Sequence, residues 1–441
     1  MKFQKCIDMN DSEVDWIGNI PKHWKISKLL HVLELHQIKN NDSITRKMLS
    51  VSQTLGIIEK EYGYESQIRT KEDSLDYLVV HPTNLVVNKM WIQYRGLGVS
   101  FIEGIVSPAY RIYKINSKII EPKFLNYLVR SDIYLNEYPR HLKGIRPNSL
   151  EIIENVFVRL PLILPPLTEQ QQITKYLDVK IQKINYEIKQ NKNLIYLLNE
   201  KRKISINQVM IKGMIPDISM KNSGIKWIGQ IPKHWSLLPV TSLLKPGKEG
   251  IRIGPFGSSI TLNFIKEYGY RIYGQQNITK ENFDLGTHHI DEEKFLELKD
   301  YELLPNDIAI SRMGTIGKAV VVPKNIVPGI MHSHIIRLRV DLKKCFPLFL
   351  TKLINSSHYV DSYFKSISDG ATMQGLNVSS IKSCMICVPP VDEQKQISEF
   401  LDTMISKIDS LILKLTSQIE KLEKYQHSLI SSMITGKICI V

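Results

Sequence analysis

The chain has 441 residues, 43% of them hydrophobic, enough for at least two packed domains. No run of eighteen apolar residues occurs and Met1 to Asp8 holds no signal-peptide core, so the expectation is a cytoplasmic chain without a membrane span. Lys and Arg (58) exceed Asp and Glu (44), and the net charge of +14 points to a polyanionic partner, of which nucleic acid is the usual one.

Along the chain the first feature is Trp16-Ile-Gly-Asn-Ile-Pro-Lys-His-Trp24, which returns at 227–235 as Trp-Ile-Gly-Gln-Ile-Pro-Lys-His-Trp. A glycine turn, a proline bend and two aromatics suit a packed clasp at a domain entrance. His23 and His234 have no Cys, His or carboxylate at a recognised spacing, and are read as packing residues.

A mixed region follows each copy. In the first half, strands are expected at Leu75–Val80, Leu85–Asn88 and Gly104–Tyr113, and a helix opens at Pro122. In the second half the order repeats: Ile308–Ser311, Ala319–Val322 and Ile330–Val340, then a helix from Pro347. The stretch Lys89 to Arg95 stands opposite Arg312 to Lys318, and the two are dissimilar. The fold class expected is α+β, with a surface rewritten on a retained scaffold.

Then comes the stretch that organises the chain. Pro165-Pro166-Leu167-Thr168-Glu169-Gln170 returns as Pro389-Pro390-Val391-Asp392-Glu393-Gln394. Behind each copy runs an apolar seam with alternating steps of three and four, the spacing of a coiled coil. The first reads Leu177, Ile181, Ile184, Ile188, Ile195 and Leu198. The second reads Leu401, Ile405, Ile408, Ile412, Leu415, Ile419 and Leu422. Asn191, Arg202 and Ser205 interrupt the first seam with polar side chains. Each seam ends near a glycine, Gly213 or Gly436. The domains read as 1–167, a helix over 168–213, a linker over 214–226, a second domain over 227–391, and a second helix with tail over 392–441. Heptads alone leave parallel and antiparallel pairing open.

Polar, basic, glycine-punctuated loops carry the candidate binding chemistry. Arg, Gln and Asn can pair with guanine and adenine edges, and Lys, Ser and glycine-turn amides suit phosphates. In the first half the candidates are Lys89, Arg95, Tyr110, Lys143 and Arg146. In the second they are Arg252, Ser258, Ser259, Arg271, Gln275, Gln276, Asn277, Arg312, Lys318 and Gln374. Catalytic motifs do not occur: Gly314 to Ala319 lacks P-loop spacing, and the Pro-Pro pairs lack the flanking residues of an amino-methyltransferase. Cys384 and Cys387 form a CxxC without a second ligand pair, so no metal is expected, and five scattered cysteines fit a reduced compartment.

Taken together, the two repeated motifs, with Gly104 to Tyr110, Gly144-Ile-Arg-Pro147 and Gly254-Pro-Phe-Gly-Ser258, resemble the specificity subunit of a type I restriction–modification enzyme over essentially the whole chain. The resemblance implies two target-recognition domains, each reading half of a bipartite site in double-stranded DNA. It implies that the two long helices pack as an antiparallel coiled coil with pseudo-two-fold symmetry, a spacer that docks two methyltransferase subunits. Two restriction subunits with translocase and nuclease activity complete such a complex. The implied role is non-catalytic: the chain itself binds no cofactor, and S-adenosylmethionine, ATP and magnesium belong to the partner subunits. A coiled-coil scaffold joining two protein-binding domains is the competing reading.

Overall fold

A computed structural model of the chain describes residues 3–41, 46–60, 75–144, 150–226, 228–256, 259–313, 317–356, 360, 363 and 378–440. These fall into two compact units. The first holds residues 1–192 and 416–441, the second residues 193–415.

The core of the first unit is a four-stranded antiparallel sheet in the order Leu97–Val99, Leu85–Asn88, Tyr110–Ile115, Leu33–Leu35. The second unit repeats it as Ala319–Val321, Ile308–Ser311, Ile335–Leu338, Ile251–Ile253. One central strand of each, Leu85–Asn88 or Ile308–Ser311, opens with three apolar residues (Leu-Val-Val, Ile-Ala-Ile) that are buried on both faces, as continuous apolar runs require. The helix Pro122–Val129 in one unit, with proline in its first turn, corresponds to Pro347–Ser356 in the other. Proline fits there because the first helical amides have no intrahelical acceptor.

Two expected strands divide. Gly104–Val106 and Tyr110–Ile115 are separate strands around Pro108, which has no N–H to donate to a ladder. Ile330–Val340 is not one strand: Gly329–Met331 and Ile335–Leu338 are parted at His332–His334, where the chain turns. The parting lets Gly329–Met331 join a second sheet, parallel to Tyr270–Tyr273.

Two long helices, Leu167–Lys212 and Val391–Ile434, each run through both units. In the first unit, Ile173, Leu177 and Ile181 from the start of one share a core with Leu429, Met433 and Ile434 from the end of the other. In the second unit, Ile206, Val209 and Met210 share a core with Ile397 and Leu401. Start packs with end in both, so the pair is antiparallel. Of the seam, Leu177, Ile181, Ile184, Ile188, Leu401, Ile408 and Ile419 are buried. Ile195, Leu198, Ile405, Ile412, Leu415 and Leu422 are half-buried. Each buried aliphatic side chain contributes about 1.5–3 kcal/mol of transfer free energy. The polar interruptions have partners or open space: Arg202 donates to Asp409 at 2.9 Å, and Asn191 lines a groove of about 510 Å³ with Gln190, Gln418 and Tyr425. Among the described residues no helix is long and apolar enough to cross a membrane.

The cysteines are not all isolated. Strand Phe3–Lys5 pairs with Ile438–Ile440, and Cys6 and Cys439 form a disulfide with their Cα atoms 5.4 Å apart. Cys345, Cys384 and Cys387 are buried and outside the disulfide, and burial pushes the Cys345 and Cys384 thiols up to about 12. Among the described residues no cluster of three or more His, Cys, Asp or Glu is placed to hold a metal ion.

Candidate nucleic-acid interface

Each unit is joined to a long helix by a closely similar set of contacts. Strand Pro161–Leu164 pairs with Lys25–Lys28, and the Pro-Pro step ends it because neither proline can extend the ladder. The helix starts at once, and Gln170, fully buried, faces back into the unit. Its side-chain carbonyl accepts from the Glu121 N–H at 2.8 Å. Its amide donates to Pro165 O at 2.8 Å and Ile119 O at 3.2 Å. In the second unit Gln394, also fully buried, accepts from Phe346 N–H at 2.8 Å and donates to Pro389 O at 2.9 Å and Lys344 O at 3.0 Å. Both glutamines thus hold the loop that enters the domain helix at Pro122 or Pro347.

The neighbouring glutamates hold the clasp. Glu169 Oε2 accepts from Trp24 Nε1 at 3.1 Å and lies 2.9 Å from His23 Nε2. Glu393 Oε2 lies 2.7 Å from His234 Nε2. Each histidine has a carboxylate partner that sequence spacing did not reveal, 146 or 159 residues away. Gly213 and Gly436 close the arrangement with positive φ, at +77° and +67°. A Cβ at Gly436 would lie 2.3 Å from Pro21, and one at Gly213 would lie 3.3 Å from Trp235.

On that frame, four loops of the second unit meet at one edge. Gly254 N–H donates to Ile335 O at 3.0 Å, and a Cβ at Gly254 would lie 2.0 Å from His332 O, so only glycine fits. His332 N–H donates to Tyr273 O at 2.9 Å, Arg312 N–H donates to His334 O at 2.9 Å, and the Gln275 amide donates to Met313 O. Gln276 is exposed beside them, and Ser259 is half-buried. His332 and His334 stack edge to face with centroids 5.0 Å apart. Burial first, then His334 and His288, hold His332 below the ordinary imidazole range.

Other candidates have internal partners. Arg271 donates to Asp284 O and Gly286 O, both at 2.8 Å. Asn277 is fully buried, accepting from Gly274 N–H at 2.8 Å and donating to Leu285 O at 2.8 Å. These two shape the 270–286 loop. Arg252 pairs with Asp300 at 2.6 Å over the Tyr301 ring, and Lys318 pairs with Glu281.

In the first unit Lys89 pairs with Glu151 at 2.7 Å. Arg95, at φ +59°, pairs with Asp132 at 2.5 Å and lies 3.3 Å from His427 Nδ1. Tyr110 is half-buried with its phenol raised by burial, against a hydrogen bond to Asn88 that lowers it. Lys143 is exposed on a short strand paired with Glu151–Ile152. Arg146, Ser258 and Gln374 lie outside the described residues. The same stretch as Lys89 and Arg95 also presents Trp91 and Tyr94, 59% and 53% exposed, with ring centroids 5.7 Å apart. Exposed aromatics of this kind can stack on bases. Their three-residue spacing on a single 3-10 turn is the signal that sequence reading passed over.

Residues 257–421 match the family described as the type I restriction modification DNA specificity domain. The chain is 25% identical over 440 residues to a Methanocaldococcus jannaschii protein named as a type I restriction enzyme MjaX specificity subunit, covering 96% of this chain and 95% of that one. The type I restriction enzyme MjaVIII specificity subunit of the same organism is 26% identical over 345 residues, covering 76% of this chain and 75% of that one. In fold, the chain resembles one from a study of complex assembly and conformational transition of the type I R-M system. That match has a TM-score of 0.67, 15% identity and coverage of 95% and 99%. It also resembles the HsdS subunit from Thermoanaerobacter tengcongensis, with a TM-score of 0.55, 14% identity and coverage of 95% and 98%.

Proposed function

We propose, for a chain that belongs with the type I restriction–modification specificity subunits, that its two units read two different halves of an asymmetric, bipartite DNA site and that its helix pair docks two methyltransferase subunits. One observation carries the reading: a closely similar frame is built twice, while what stands on it differs. The sheets, the glutamine anchors and the histidine–glutamate pairs of the clasp correspond, but the sequence that follows the strand Leu85–Asn88 in one unit and Ile308–Ser311 in the other is unlike, Lys89 to Gly96 against Arg312 to Lys318. A duplicated scaffold with divergent edges suits two readers of unlike sequences. The +14 charge suits phosphate contact. The matched helices suit one job done twice, the binding of two copies of one partner. Restriction subunits join such an assembly in pairs, and S-adenosylmethionine, ATP and magnesium are handled by the partner chains.

The test is an exchange of residues 227–388 for the equivalent region of a relative, followed by methylation-aware sequencing of DNA modified by the assembled complex. One half of the modified motif changes and the other stays. A change in both halves would refute independent reading, and an unchanged motif would refute reading by this unit.

A further inference from the structure

The two clasps are built alike but closed differently. In the second unit the chain passes from Gly213, at the end of a long helix, through a short linker to strand Met220–Asn222, which pairs with Gln230–Pro232. In the first unit strand Met9–Asp11 pairs with Asn19–Pro21 in the same register, Met9 opposite Pro21 as Met220 is opposite Pro232. Gly436 sits on Pro21 and Trp24 as Gly213 sits on Pro232 and Trp235. No short linker can run from Gly436 to Met9, because Gly436 comes after Met9 in the chain by nearly the length of both units. A strand pair stands in its place: Phe3 opposite Ile440, Gln4 opposite Cys439, Lys5 opposite Ile438, with Cys6 N–H donating to Lys437 O at 3.2 Å. The Cα separation of 5.4 Å between Cys6 and Cys439 lies inside the range a disulfide spans.

We propose that Cys6 and Cys439 form a reversible redox clasp, giving the first unit, when oxidised, the covalent closure that the second unit has from its linker. Both residues are half-buried and open to small reagents, whereas the other three cysteines are buried. The oxidant is a low-molecular-weight disulfide. One cysteine thiolate attacks it and releases one small thiol, and the second cysteine then displaces the other. Two protein thiols and one small disulfide become one protein disulfide and two small thiols. An excess of small thiol reverses both steps.

The assembled full-length complex is equilibrated in buffers of graded oxidised-to-reduced glutathione and quenched with N-ethylmaleimide. Peptides are then mapped by mass, and hydrogen exchange is followed in parallel on the wild-type protein. The Cys6–Cys439 cross-link rises with oxidation and disappears on reduction. Oxidation slows exchange at least tenfold over residues 3–24 and 429–440 and leaves 213–235 unchanged. C6S and C439S each abolish the redox response and match the reduced wild type. Alkylation of both thiols at every ratio overturns the proposal. So does a cross-link to a different cysteine, or a Cys6–Cys439 cross-link that leaves exchange unaltered.

Discussion

Replacing Gln170 by Met keeps the side-chain volume and removes three hydrogen bonds, to Glu121 N, Pro165 O and Ile119 O. The site is fully buried, so water does not simply take their place. At about 0.5–1.5 kcal/mol net for each bond, with a larger cost for a group left unpaired, the loss is about 3 kcal/mol. That corresponds to about two orders of magnitude in the local opening constant, since about 1.4 kcal/mol is tenfold. A single melting temperature is a poor measure in a chain of two units. Hydrogen exchange resolved by peptide is the appropriate assay: protection over residues 115–130 falls about a hundredfold, while residues 340–356, held by Gln394, stay protected. The complementary Gln394→Met reverses the pattern. A change below about 1 kcal/mol at 115–130, or an equal loss in both regions, would refute the anchoring role.

Salt tests the partner: for the assembled complex, log affinity for target DNA falls with log salt at a slope near −0.9 for each phosphate neutralised, and a flat response in filter binding excludes phosphate contact. His332 makes the second unit acid-sensitive. Its pKa is depressed in the fold, so its contribution is present above the unfolded value, near 6.5, and is lost as pH falls below that. Exchange over 270–276 and 329–336 therefore accelerates in acid, and His332→Gln flattens the profile; an unchanged profile contradicts the assignment. Four residues inserted after Gln190 add about 6 Å to one helix, nearly two base-pair steps. The gap in the modified motif lengthens by one or two base pairs with both half-site sequences kept, and continued modification of the original spacing alone removes the helix as a ruler.

Periodic features were legible in sequence. The seam residues from Leu177 to Ile188 are buried where alternating threes and fours put them, and Pro122 and Pro347 open helices as proline should. Contacts between distant segments were not. Nothing near His23 in sequence announces Glu169, because the pairing depends on strand Lys25–Lys28 lying against Pro161–Leu164. Cys6 and Cys439 are isolated in sequence and meet only through a strand pair drawn from 433 residues apart. Antiparallel order was undecidable from heptads, since both orders satisfy the same spacing. Among the candidate binding residues, side-chain type identified the loops but not the duty of each residue. Asn277 and Arg271 have the chemistry to read bases and use it to shape their own loop. Gln276, one position away, faces solvent.

The first unit contains residues 1–192 and 416–441, so Leu429, Met433 and Ile434 belong to the core begun by Ile17 and Trp24. On the ribosome that core cannot be completed when its opening strands emerge. The intervening residues 193–415, themselves the whole second unit, must be synthesised first. At about 5–20 residues per second they take roughly 10–45 s. The half of the protein translated earlier is thus the half that finishes folding later, and its apolar strands wait, exposed to chaperones and to neighbouring nascent chains, for the last helix to arrive.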